Sequence, residues 1–220
     1  SVAILTGDLI FSRASLLVSD LGTLPMKIQA QTFERLVLGQ LYETTGVREN
    51  QDILDHYISV IEGKTGSLIA AAGEYGSLLA GASEEVIQML ATYGELVGVA
   101  FQLADDVIDI VSDGASSGKT QGTDLRDGVP TLPTILLNRA AEAGDESARQ
   151  VRTLIEADLS SDDALAAAVS ALAAHPVTQE AWQIAYNWAD RAIAAIAPLP
   201  DSTAKAALES FAHAVVHRES

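Results

Sequence analysis

The sequence predicts an all-α fold, and three observations predict it. Alanine, the strongest helix former, occurs 36 times in 220 residues. Apolar residues recur at helical spacing almost throughout the chain. The strict apolar–polar alternation of a half-buried strand is hard to find.

The first helix runs over 2–18 and ends near Gly22. A second opens with Pro25 in its first turn, where a missing N–H costs nothing, and stops at Gly46 after Thr45. The third begins after Asn50 and continues through an Ala- and Gly-rich stretch to Leu79. Ser83, followed by Glu84 and Glu85, caps a long fourth helix that reaches Val111. Residues 112–130 hold four glycines among many Ser and Thr, too many breakers for a helix, and read as the one long loop. Loops of that length inside a compact domain are usually functional or disordered. Helices then resume over 132–142, 146–157, 162–174, 178–197 and 202–217.

Composition narrows the function classes. Thirty acids against 13 Lys and Arg give a net charge of −17, which argues against nucleic acid or an anionic membrane surface as partner. Apolar content of 48% supplies a core and excludes wholesale disorder. The longest uncharged run, Ala164–Gln179, is shorter than a bilayer span and carries His175 and Pro176, so no transmembrane segment is expected. The absence of cysteine removes disulfides, thiolate zinc sites and cysteine nucleophiles, and a cytoplasmic protein is the simplest expectation. With no internal repeat and no boundary beyond the loop, residues 1–220 form one expected domain. The helical pattern starts at Val2 with no cap, signal peptide or initiator Met, so the chain is expected to begin inside a helix and to lack an upstream part.

The sharpest chemical feature is FQLADDVID, residues 101–109. Asp105 and Asp109 stand one helical turn apart with Asp106 beside them. Carboxylates converging there repel one another unless a cation lies between them. All-oxygen donors select a hard ion, Mg²⁺ foremost. Acids near a helix C-terminus also oppose the macrodipole, a cost that a bound metal offsets. The plain alternative is a solvated acidic face on an acidic protein.

The distribution of cations adds a second signal. Lys64 is the only Lys or Arg between Arg48 and Lys119, against twelve acids. Gly63 and Gly66 flank it, and paired glycines weaken or kink a helix, freeing backbone groups beside Lys64 and Thr65. A lone cation at such an irregularity suits an anion; the alternative is a lysine snorkelling from a half-buried helix. The stretch from Gly114 to Thr120 looks like a phosphate-binding P-loop but is one residue short, follows an acidic helix and precedes no helix, so that reading is rejected. Lys119 is kept as a possible phosphate contact. His213 and His217 share a helix face but have no third ligand in view, and Trp182, Tyr186 and Trp188 read as packing.

Taken together, Gly7-Asp8, Gly39-Gln40, GKT at 63–65, FQLADDVID, GKTQGTDL at 118–125 and TLPTI at 131–135 resemble the trans-isoprenyl diphosphate synthases, the polyprenyl synthetase family. These matches fall in family order over residues 1–135. The resemblance implies an all-α bundle around a deep central cavity, usually a homodimer. It implies an enzyme that joins isopentenyl diphosphate to an allylic diphosphate, with Mg²⁺ as cofactor. Position by position, it assigns Asp105, Asp106 and Asp109 to the second aspartate-rich motif, which binds Mg²⁺ with the allylic diphosphate. Lys64 and Thr65 match the pair that contacts this diphosphate and the forming cation. Gln102 matches the glutamine beside the motif, Lys119 a lysine reaching from the loop, and Asp124 a supporting acid. Gln40 and Glu43 match positions lining the allylic site.

Two departures stand out. The family's first aspartate-rich motif and the arginines after it lie upstream of the Gly7-Asp8 helix and are absent here, so these 220 residues alone are expected to turn over poorly. A basic position before TLP is held by Val129. The resemblance points to a bacterial polyprenyl diphosphate synthase, leaning to medium or long products. A non-catalytic subunit and a class I terpene cyclase are the alternatives from other classes.

Overall fold

The computed structural model describes residues 2–112 and 121–217, and every regular element among them is helical. In chain order these are α1 (Val2–Ser19), α2 (Thr23–Thr45), α3 (Ile53–Ile61), a π turn (Glu62–Gly66), α4 (Ser67–Leu79), α5 (Glu84–Val111), α6 (Thr123–Asp127), α7 (Leu132–Glu142), α8 (Glu146–Ile155), α9 (Asp162–Ala174), α10 (Pro176–Ala195) and α11 (Thr203–Val216).

The bundle is organised around α5, which α4, α10 and α11 flank and which also meets α3, the π turn, α7 and α9. Ser83 caps α5 by accepting from the Val86 amide, and Glu84 and Glu85 occupy the first turn, as the sequence predicts. Val97, Val99, Leu103 and Val107 of α5 are completely buried. Each such side chain contributes about 1.5–3 kcal/mol by leaving water. The Tyr93 hydroxyl donates to the Leu208 carbonyl at 2.6 Å and ties α5 to α11.

Glycine decides how closely α5 approaches α4. A Cβ on Gly94 would stand 2.5 Å from the Ile69 carbonyl oxygen, and one on Gly73 would stand 2.5 Å from that of Leu90. No side chain fits at either crossing, so backbone meets backbone there.

Three expected boundaries move, each for a physical reason. The single third helix is broken into α3, the π turn and α4. It begins at Ile53 because Asp52 accepts from the Leu54 and Asp55 amides. The 112–130 loop contains α6, a single turn lying between the left-handed glycines Gly122 and Gly128. The helix expected from Thr178 starts at Pro176, because proline suits the first helical position and His175 Nδ1 accepts from the Val177 amide.

Two described helices, α1 and α5, are long and apolar enough to cross a membrane by length and composition alone. Residue runs free of any charge miss both, because α1 carries Asp8 and Arg13 and Glu95 divides α5 in its middle. α5 is the core helix. α1 buries none of its residues and packs along α2, where the Phe11 and Phe33 rings lie 4.3 Å apart and Gln29 donates to Ser15.

Candidate active site

The glycine pair flanking Lys64 produces more than a kink. Residues Glu62–Gly66 wind as a π turn, in which the Ser67 amide reaches back five residues to the Glu62 carbonyl. Tertiary contact holds this wide turn. On one side α2 crosses it glycine on glycine: a Cβ on Gly63 would meet the Gly39 Cα at 3.0 Å. On the other, a Cβ on Gly98 of α5 would meet the Gly66 Cα at 2.7 Å. The loosened carbonyls find partners, Gly63 from the Ser67 hydroxyl at 2.6 Å and Glu62 from the Arg35 guanidinium at 3.3 Å.

This clamp aims Lys64 and Thr65 into a cavity of about 280 Å³. Glu43 of α2, Gln102 and Asp106 of α5, and Asp124 of α6 also line it. Gln40 reaches the cavity through Glu43, whose Oε2 accepts from Gln40 Nε2 at 2.7 Å and from Lys64 Nζ at 2.6 Å. Val129 contributes an uncharged wall at the position where the resemblance has a base. Lys119 lies outside the described residues.

A chain of hydrogen bonds runs along one side of the cavity. Thr65 Oγ1 donates to Gln102 Oε1 at 3.2 Å, and Gln102 Nε2 donates to Asp106 Oδ1 at 3.1 Å. The other oxygen of Asp106 accepts from the Tyr57 hydroxyl and from the Leu132 amide at 3.3 Å. Sequence reasoning missed Tyr57 and the Leu132 amide. A signal for the first existed: a tyrosine on the buried face of a helix needs a partner for its hydroxyl, and Tyr57 stands about two helical turns before Lys64.

The three aspartates are treated differently by their surroundings. Asp106 is buried, and burial pushes its carboxyl up to about 6 against the pull of its three donors. Asp109 is pushed upward too, by burial and then by the charge of Asp124, while the Asp124 and Thr123 amides hold it down. Its Oδ2 is a buried oxygen with no hydrogen-bond partner. Asp105 is half-buried, and its charge acts on Asp109.

The sign of the Asp106 effect gives a measurable pH dependence. The folded chain keeps this proton to higher pH than the unfolded chain. Stability is therefore full below about pH 4 and falls as pH rises through about 6, by on the order of 3 kcal/mol. In EDTA, urea unfolding at pH 4.5 and 7.5 is expected to show about two thirds of this loss. Asp106→Asn should flatten it, and an unchanged pH slope in that variant defeats the assignment.

The donor set fits a divalent cation. The unpartnered oxygen of Asp109 is the kind of group that a cation satisfies, and Asp105 and Asp124 add like charge that a cation relieves. Among the described residues no three His, Cys, Asp or Glu side chains converge closely enough to hold a metal by themselves. One or two carboxylates completed by a ligand's phosphate oxygens is the usual arrangement for Mg²⁺.

The other sequence candidates have structural roles. His217 bonds the His213 carbonyl and lies against the Tyr186 ring, which stacks on Trp182. Trp188 lies under Arg191.

The family model for polyprenyl synthetase matches residues 1–172. The chain is 41% identical over 218 residues to a nonaprenyl diphosphate synthase of Mycobacterium tuberculosis, covering 99% of this chain and 64% of that protein. It is 34% identical to an octaprenyl diphosphate synthase of Escherichia coli, over all of this chain and 67% of the relative. A crystal structure of geranylgeranyl pyrophosphate synthase from Corynebacterium glutamicum, complexed with calcium and isoprenyl diphosphate, superposes with a TM-score of 0.87 at 41% identity. That match covers 98% of this chain and 66% of the solved one. The chain thus spans about two thirds of the length of the proteins it matches.

Proposed function

The chain belongs to the polyprenyl synthetase family, and from that premise we propose that it serves a prenyltransferase, joining isopentenyl diphosphate to an allylic diphosphate and lengthening a trans-polyprenyl diphosphate by one C5 unit. One observation carries the proposal. The π turn brings Lys64 and Thr65 into the same cavity as Gln102, Asp106 and Asp124, while Asp105 and Asp109, the latter with its unpartnered oxygen, stand on α5 beside Asp106 but outside that lining. A lysine for a diphosphate, oxygen dipoles for a carbocation and carboxylates for a metal are what such a reaction needs in one place.

In this reading Asp105 and Asp109 would hold Mg²⁺, while Asp106, the third member of the motif, has both oxygens taken up by Tyr57, Gln102 and the Leu132 amide and would support them. When bound, the ion neutralises the negative charge that grows on the departing diphosphate. Lys64 and, from the loop, Lys119 hold the remaining oxygens of that group, and Asp124 and Gln40 support the arrangement. As the allylic carbon–oxygen bond breaks, the carbon becomes positive, and the Thr65 hydroxyl oxygen and Gln102 carbonyl oxygen turn negative dipole ends toward it. The double bond of isopentenyl diphosphate then attacks this carbon, and loss of a proton restores neutrality. Apolar walls such as Val60, Ile61 and Ile135 keep out water that would quench the cation. The names of the relatives favour chain elongation over the cyclase and non-catalytic-subunit alternatives, and kinship with bacterial enzymes supports a cytoplasmic location.

The test is a Mg²⁺-dependent assay of the gene product with isopentenyl and farnesyl diphosphates, with products read by mass spectrometry. Products longer by C5 units are expected; their absence at any Mg²⁺ concentration sinks the proposal.

A homodimer is part of the same proposal. Leu5, Leu9 and Leu17 of α1 and Val37 and Leu41 of α2 are exposed, apolar side chains that a second copy of the chain would cover. Sedimentation at micromolar concentration is expected to give about twice the chain mass, and a monomer there refutes this part.

A further inference from the structure

Tyr57 belongs to none of the motifs, yet its hydroxyl is buried against Asp106 at the wall of the cavity. Asp106 is only 4% exposed, and its two oxygens take donors from three separate elements: Tyr57 on α3, Gln102 on α5 and the Leu132 amide at the start of α7. A carboxylate accepts but does not donate. It therefore fixes which end of the Gln102 amide faces it, namely the NH₂. The oxygen of Gln102 is left pointing the other way, where the Thr65 hydroxyl donates to it.

We propose that Tyr57 is a positioning residue: through Asp106 it locks the side-chain amide of Gln102 with its oxygen toward Thr65 and the reacting carbon. Asp106 is on this account an anchor taken up by protein donors, while Asp105 and Asp109 remain for the cation. The inference rests on the prenyl-transfer reading above. An amide can turn over by half a rotation at little steric cost, exchanging oxygen for NH₂. At a carbon that becomes positive, that exchange replaces an attracting dipole end with a repelling one. Without the Tyr57 hydroxyl, Asp106 keeps only the Leu132 amide and Gln102 itself as donors, so its carboxylate is free to turn and to release the Gln102 amide from its set orientation.

The experiment is Tyr57→Phe in the gene product, a change that leaves the ring in its slot. Turnover is expected to fall about 10- to 100-fold, the signature of an interaction that matters in the transition state. KM for the allylic diphosphate and the Mg²⁺ midpoint should stay within about twofold of wild type, because Lys64, Asp105 and Asp109 are intact. Asp106→Asn tests the link from its other end, and Tyr57→Phe/Asp106→Asn should be no slower than Asp106→Asn alone. A readout independent of turnover is the ¹⁵N side-chain amide signal of Gln102. It should be a sharp, slowly exchanging pair in wild type and broadened or shifted in both single variants.

Wild-type turnover in Tyr57→Phe overturns the proposal. So does a Mg²⁺ midpoint displaced as in Asp109→Asn, or an unchanged Gln102 signal. If wild type transfers no C5 unit at all, the prenyl-transfer reading fails on its own, and the Gln102 signal still decides whether Tyr57 holds the amide.

Discussion

Asp105→Ala is expected to lower prenyl transfer by about a thousandfold or more while leaving the helical fold intact. The asymmetry follows from where Asp105 stands. It is half-buried in the next-to-last turn of α5, where a negative charge opposes the helix dipole. Its removal therefore costs little stability and takes away a carboxylate that neighbours Asp109. In the transition state it takes away more, because charge moving onto the diphosphate must be met by a cation with one carboxylate fewer to hold it. About 4 kcal/mol of lost transition-state stabilisation corresponds to that thousandfold. Turnover and thermal unfolding measured on the same preparation separate the two effects. Near-normal turnover in a folded variant removes Asp105 from the metal site.

Lys64→Ala is the second large effect, and it is expected to act on the diphosphate. The pair between Lys64 and Glu43 is partly exposed, with side chains 31% and 39% accessible. Such pairs contribute roughly 0–1 kcal/mol, so unfolding should barely change. The binding of inorganic pyrophosphate in the presence of Mg²⁺ should weaken by about a hundredfold, since a charge-assisted contact in a sheltered site is worth about 2–3 kcal/mol. Calorimetric titration with pyrophosphate measures this directly, and an unaltered affinity defeats the diphosphate role. Lys64→Arg should recover part of the loss, because the charge returns on a head group of different shape.

Much of this was legible before any coordinates. Ser83, Glu84 and Glu85 announced the start of α5, and the apolar spacing carried it to Val111. These are local signals, written within one turn of the residues they govern. The isolation of Lys64 pointed to a residue that lines the cavity, and of the three spaced aspartates only Asp106 lines it. The glycines at 63 and 66 announced an irregular helix but not a π turn. That outcome depends on Gly39 and Gly98, 24 and 35 residues away from Gly63 in sequence, pressing on the same turn from both sides. The separate fate of Asp106 was hidden for a related reason. In a helix each residue turns about 100° from the last, so Asp106 lies on the flank of the ridge that Asp105 and Asp109 share, and only the packing of other segments decides that this flank is the buried one. Its real partners, Tyr57 and the Leu132 amide, come from distant segments that no spacing rule joins.

The π turn also limits how the gene can vary. A single-residue deletion in a surface loop shortens a path and little else. Inside Glu62–Gly66 it would let α3 run straight into α4 with ordinary winding, and local helix energetics would welcome the change. The loss would be one of phase. Everything before the deletion would rotate by about 100° relative to everything after it, carrying Tyr57 off Asp106 or swinging Lys64 away from Glu43. The extra residue works like a frame shift folded into the helix. Substitutions can accumulate around it one at a time, but the length of this segment cannot drift.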